Sequence, residues 1–257
     1  MKNANFEEMF RKSILSLPEE DSEKQRRFRY KEDAAAVVEA CNQQWRDISF
    51  SRSSKGKPFL VGTSDFHYNI SHQGDLVVLA TSDSEIGVDV MRIDVDRCHP
   101  QTSATEHIGK FKKQFTEREL LRMMDHESDV DRWQSFYRFW CLKESILKAT
   151  GVGITEDLKQ HAFEVSHVDE HKPGCMIQST KYFWQKREQE EWKFEESFVG
   201  EDHCVAIARK KSSDPAIAFE LIPFEKLLES SQVMNPLPDV TDDEEFNIFF
   251  NKPNKHF

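Results

Sequence analysis

No stretch of the 257-residue chain stays apolar and uncharged over the about 18 positions a membrane-spanning helix needs, which excludes such a helix. The opening run MKNANFEEMFRKSIL is broken by charges and carries no secretory apolar core. Cysteine is scarce and scattered: Cys41, Cys98, Cys141, Cys175 and Cys204 form no CxxC pair. An odd, dispersed set supports neither a zinc site nor a disulfide framework, and reduced thiols in a cytoplasmic protein are expected. Positive charge is in deficit. Thirty-five Lys and Arg against 46 Asp and Glu leave a formal charge of −11. That argues against a general polyanion binder such as a nucleic-acid protein, while leaving room for a local basic pocket.

What the chain has is aromatic mass. Twenty Phe and five Trp can fill a core, and a disordered chain would be poor in both. The length suits one large domain or two of ordinary size. Residues 19–47 are highly charged, with a helix expected over 33–45. Lys55-Gly56-Lys57-Pro58 reads as a turn and 75–80 as a buried strand. Residues 85–91 alternate with period two, so that Ile86, Val88 and Val90 face one way and Gly87, Asp89 and Met91 the other. Thr116 and Glu119 make a capping box that opens a helix running through about Met124. A longer helix covers about 130–150 and stops at Gly151. Four strand-like runs follow at 162–168, 182–184, 192–199 and 203–208. The last, HCVAIA, loosely echoes HQGDLVVLA at 72–80, a hint of internal duplication. The expected division is an N-terminal half over 1–105, a C-terminal half over 106–228 and an acidic, mobile tail over 229–257, which contains Asp242-Asp243-Glu244-Glu245.

Three segments carry candidate chemistry: Asn69-Ile70-Ser71-His72, Gly87-Val88-Asp89-Val90-Met91 and the helical run from Trp140 to Ala149. Phe136, Trp140, Glu144 and Lys148 fall on one helical stripe, so Glu144 and Lys148 are neighbours with aromatic bulk behind them. Asp89 shares a strand face with Gly87, a residue type that admits close approach of another group. Two carboxylates, Asp89 and Glu144, brought together must share a proton or hold a cation. With hard oxygen ligands that cation would be Mg²⁺, completed by waters and substrate phosphates, which Lys148 would face. Each feature alone has a plainer reading: a solvated Glu/Lys pair, a turn-forming Asp, a structural His.

Taken in order, the segments resemble the 4′-phosphopantetheinyl transferase superfamily in its large monomeric class. The matching residues are Arg52-Ser53-Ser54-Lys55-Gly56-Lys57-Pro58, Asn69-Ile70-Ser71-His72-Gln73-Gly74-Asp75, Gly87-Val88-Asp89-Val90-Met91, and Trp140 through Gly153. The likeness runs from about Glu19 to Arg209. It implies a cytoplasmic, monomeric, Mg²⁺-dependent holo-[acyl-carrier-protein] synthase. Such an enzyme moves 4′-phosphopantetheine from coenzyme A to a serine of an acyl or peptidyl carrier protein and releases adenosine 3′,5′-bisphosphate. The implied fold is α+β, two similar halves about a pseudo-two-fold with coenzyme A in the cleft between them. Asp89 and Glu144 would hold Mg²⁺, Glu144 would be the candidate base, and Lys148 would sit on phosphate. Arg52, Lys55, Lys57 and His72 would line the 3′-phosphate and adenine end, with Gly56, Asn69, Ile70 and Ser71 also contacting coenzyme A. Partners would be apo carrier proteins or domains of the fatty acid synthase and aminoadipate-semialdehyde dehydrogenase type, with no nucleic acid and no membrane. Where several members carry an acid two residues past the metal Asp, this chain has Met91. Lys24, Arg26 and Arg27 are further nucleotide-contact candidates. A non-catalytic module that binds coenzyme A or a carrier protein is the alternative. A metal-dependent phosphohydrolase would need more metal ligands than Asp89 and Glu144 supply.

A carrier protein acidic around its serine needs a local basic patch on a chain of charge −11. Gly109-Lys110-Phe111-Lys112-Lys113-Gln114-Phe115 offers steering cations with Phe111 and Phe115 as apolar anchors. The competing reading makes it a solvated linker whose two Phe belong to the core.

Overall fold

The computed structural model describes residues 12–16, 49–73, 76–93, 102–153, 157–167, 174–200, 202–210 and 219–223. The helix expected at 33–45, the candidates Lys24, Arg26 and Arg27, and the tail 229–257 lie outside them.

Strands β1 (Lys12–Ser16), β4 (His67–Gln73), β5 (Leu76–Ser82) and β12 (Glu220–Pro223) form one sheet in the order β12-β1-β5-β4. A second sheet has the order β10-β11-β6, from β6 (Ile86–Arg92), β10 (Trp192–Val199) and β11 (His203–Lys210). Two small antiparallel units complete the strands among the described residues: β2 (Phe50–Arg52) with β3 (Pro58–Leu60), and β7 (His161–Glu164), β8 (Lys181–Trp184) and β9 (Arg187–Glu188). Among the described residues, helices α1 (Ala104–Lys110), α2 (Glu117–Met124) and α3 (Asp129–Thr150) occupy one block between β6 and β7. Helices grouped apart from mainly antiparallel strands make an α+β chain.

Local signals set these boundaries. Thr116 caps α2 through a reciprocal capping box with Glu119, as its spacing predicts. Gly151 ends α3 in the left-handed region at φ 68°, where a Cβ is disfavoured. β9 escapes the sequence reading, because its turn places Gln185 and Lys186 at positive φ without the glycine or asparagine that announces such a turn. The run expected over 162–168 is strand only to Glu164.

Packing explains why β6 reads as alternating yet is buried from Ile86 through Val90. One face, Ile86, Val88 and Val90, meets Val78 and Ala80 of β5 and Val205 and Ile207 of β11. The other face lies under α3, which carries the larger core of Trp133, Phe136, Phe139, Leu142 and Ile146. That core also settles the basic patch. Phe115 is fully buried and stacks edge-on to Phe136, and Phe111 packs against the same cluster. Phe115 therefore serves α3 and not a partner, half-buried Phe111 packs on the same cluster, and Lys110, Lys112 and Lys113 are exposed. Apolar anchoring by Phe115 is thereby corrected to core packing: burying a large ring against α3 leaves it nothing to offer a docked protein.

Candidate active site

The candidate centre forms where the two larger sheets meet. β4 and β6 lie side by side, yet they belong to different sheets and share no backbone ladder. Side chains fill the gap. Asn69 Oδ1 accepts from the Val88 N–H at 2.8 Å, and Ser71 Oγ accepts from the Val90 N–H at 3.2 Å. Both acceptors stand two residues apart on one face of β4, matching the two-residue repeat of the N–H groups on β6. His72 points to the opposite face and is exposed, and Ile70 on that same face is half-buried.

Ser71 then reaches the acid. Its hydroxyl donates to Asp89 Oδ1 at 3.0 Å and accepts from Lys148 Nζ at 2.8 Å. One donor and two acceptor positions are all a hydroxyl has, so Ser71 is saturated by Asp89, Val90 and Lys148. Lys148 Nζ also lies 2.6 Å from Asp89 Oδ1. Asp89 is only 5% exposed, and its second oxygen, Oδ2, is buried without a hydrogen-bond partner.

Glycine sets how close the helix comes. A Cβ on Gly87 would stand 2.1 Å from the Ser145 carbonyl oxygen and 2.3 Å from the Ala149 nitrogen, so α3 rests directly on the β6 backbone. This contact sets Glu144 and Lys148 over the strand that carries Asp89. The Glu144 carboxyl is half-buried and titrates above its usual range, first through burial and next through the charge on Asp89, with Lys148 opposing.

The donor set fits a divalent cation. A buried carboxylate oxygen without a partner beside a second, electrostatically coupled carboxylate is what a hard cation relieves. Among the described residues no group of three or more His, Cys, Asp or Glu is placed to hold a metal, so Asp89 and Glu144 are the protein donors on offer.

The basic turn stands beside the end of α3. Ser53 N–H donates to the Lys57 carbonyl at 2.9 Å, Gly56 takes φ +85°, and Arg52 Nη1 folds back to the Gly56 carbonyl at 2.9 Å. Lys55 is exposed. Lys57 Nζ turns inward to the carbonyls of Ala149 at 2.6 Å and Ile86 at 3.0 Å. Burial lowers its pKa to about 8, with Glu85 opposing. A cavity of about 260 Å³ opens here, lined by Lys55, Lys57, Phe59, His67 and Tyr68 among others. Arg52 and His72 are not in its lining, so the structure gathers Lys55 and Lys57 at one cavity and leaves the other two predicted cations outside it. His67 and Tyr68 went unnoticed in the sequence, since nothing in their spacing ties them to the turn.

Lys143, inside the Trp140–Ala149 run, was also missed. It is fully buried, pairs with Glu119 at 2.9 Å and donates to the carbonyls of Leu158 and His161. Its place beside Glu144 in the motif gives it no part in the centre, because adjacent helical residues face different ways.

A strand carboxylate, a helix carboxylate and a lysine are gathered at one junction beside a basic turn, a constellation suited to holding a phosphate-linked group. A family model described as 4′-phosphopantetheinyl transferase superfamily matches residues 85–208, and one described as 4′-phosphopantetheinyl transferase, N-terminal, matches residues 4–84. An L-aminoadipate-semialdehyde dehydrogenase-phosphopantetheinyl transferase of Xenopus laevis is 38% identical over 209 residues, covering 74% of this chain and 67% of the relative. The protein of that name from Homo sapiens is 31% identical over 255 residues, covering 87% and 81%. A 4′-phosphopantetheinyl transferase of Bacillus subtilis is 30% identical over 185 residues, covering 65% and 77%. The chain belongs to the 4′-phosphopantetheinyl transferase superfamily. Its activity is transfer of the phosphopantetheine group to carrier proteins, with coenzyme A the donor that the family implies.

Proposed function

We propose that this chain is a Mg²⁺-dependent holo-[acyl-carrier-protein] synthase. Its acceptors would be apo carrier domains of the fatty acid synthase and aminoadipate-semialdehyde dehydrogenase type, and it would work as a cytoplasmic monomer. The observation that carries the reading is the divided environment of Asp89. One oxygen is fixed by Ser71 and Lys148, while the other is buried without a partner near Glu144. Asp89 and Glu144 would hold the cation. When bound, Mg²⁺ supplies charge neutralisation on the diphosphate.

The chain's own residues do the rest. The serine oxygen of the carrier attacks the phosphorus that bears pantetheine, and the P–O bond to the nucleotide breaks. Glu144, whose pKa is raised by burial and by the charge on Asp89, takes the serine proton. Lys148, fixed by Asp89 and Ser71, presents positive charge to the phosphates. Coenzyme A would lie in a cleft between pseudo-two-fold halves over 1–105 and 106–228, with Arg52, Lys55 and His72 toward its nucleotide end and Gly56, Asn69 and Ile70 in the surrounding wall.

Incubation with coenzyme A, Mg²⁺ and an apo carrier protein, read by mass spectrometry of the carrier, tests the reading. Wild type should add one phosphopantetheine, and Asp89→Ala and Glu144→Ala should each abolish transfer. Tight binding of coenzyme A without turnover by wild type would make the chain a binding module instead. Full activity of either variant in excess Mg²⁺ would reject the metal assignment.

A further inference from the structure

Two of the three N–H groups of Lys57 are spoken for before any donor arrives. Its ammonium donates at 2.6 Å to the carbonyl of Ala149, in the last turn of α3, and at 3.0 Å to the carbonyl of Ile86, the first residue of β6. The last carbonyls of a helix lack intrahelical partners and carry the negative end of its dipole, so a cation there is matched both by hydrogen bonds and by charge. The side chain is packed as well as bonded, for a Cβ on Gly151 would lie 3.4 Å from Lys57 Cβ. Ala149 directly follows Lys148, and Ile86 stands three residues before Asp89. The two carbonyls thus belong to the two elements that bring the candidate centre together, at the crossing where Gly87 meets Ser145 and Ala149.

We infer that Lys57 is a positioning residue: its ammonium ties the C-terminal end of α3 to the start of β6 and so fixes Glu144 and Lys148 over Asp89, rather than binding the donor's 3′-phosphate. This rests on the proposed transferase reading. Energetics point the same way. Two of the ammonium's three N–H groups already donate to carbonyls, and a phosphate drawn to the third would approach the negative end of a helix with Glu85 nearby. Burial also disfavours the charge, so a methionine of similar length would fill the space without that penalty. The charge is explained by where it holds the backbone, not by what it adds to stability.

The test is steady-state transfer to an apo carrier by wild type, Lys57→Met and Lys57→Arg, each with coenzyme A and with 3′-dephospho-coenzyme A, alongside melting curves. Positioning predicts that Lys57→Met melts within a few degrees of wild type, loses about tenfold or more in kcat with both donors, and keeps the wild-type preference between them. Lys57→Arg should also fall in kcat, because a planar fork does not place one compact charge between two carbonyls. A Lys57→Met enzyme with intact kcat, a raised KM for coenzyme A alone and no remaining preference would overturn the inference. So would a Lys57→Arg enzyme with wild-type kcat, a result that decides the matter even if the methionine variant does not fold. Absence of turnover by wild type would instead count against the transferase reading, leaving the two failures distinct.

Discussion

Asp89, Ser71 and Lys57 show how far residue type alone reaches. An acid on a strand and a lysine one turn after a helical glutamate are visible in the sequence, and the structure joins Lys148 to Asp89 at 2.6 Å. What the sequence does not display is how each group's hydrogen-bonding capacity is used. Ser71 is consumed by Asp89, Val90 and Lys148, and two of the three N–H groups of Lys57 go to carbonyls, because segments 18 and more residues apart meet side by side. Lys57 also has a pH signature. Its pKa falls from 10.5 to about 8 on folding, so between those values the unfolded chain holds more protons at this position. Its contribution is fully present above 10.5 and lost as pH falls through about 8. The stability of wild type relative to Lys57→Met should therefore rise across that window. Denaturant midpoints of the two proteins measured from pH 7 to 10.5 check this, and a flat difference would count against a buried ammonium.

Among the elements, those fixed by contacts within a few residues were legible. The capping box of α2, the glycine stop of α3 and the alternation of β6 all follow from spacing. β9 was not, and neither was the β4–β6 junction, since Asn69 and Ser71 look like any polar strand residues until their N–H partners arrive. Gly87 carries the element-scale prediction. Its missing Cβ leaves room for helix backbone that has no flexible end to move aside. Gly87→Ala should lower stability by about 1–3 kcal/mol or more and lower transfer in step, as α3 is pushed off Asp89. Gly109→Ala, in helix α1 where an added Cβ meets nothing within 4 Å, should leave transfer unchanged and not lower stability. Urea denaturation and turnover of the pair provide the measurement.

The whole molecule sets a charge problem for its proposed partner. A net −11 repels an acidic carrier domain, yet Lys110 at the end of α1 and Lys112 and Lys113 in the turn that follows stand exposed together. Phe111 and Phe115 anchor that segment from below, so the cations sit on a fixed platform. Reversing the three lysines to Glu should raise the carrier KM and leave that for coenzyme A alone. The effect should fade with salt, because exposed charges are screened beyond about 8 Å at physiological ionic strength. An unchanged carrier KM at low salt would move docking elsewhere.

The parallel pairing of β12 with β1, in register from Ser13 with Glu220 to Ser16 with Pro223, bears on how the chain is made. β1, β4 and β5 leave the ribosome early, but their sheet is not closed until residue 223 follows. At about 5–20 residues per second, β1 waits on the order of ten seconds with one row of N–H and C=O groups unpaired. An open strand edge is a template for other chains. A message cut short after β11 would release that edge permanently, giving a product prone to aggregate even though every residue of the candidate centre had been translated.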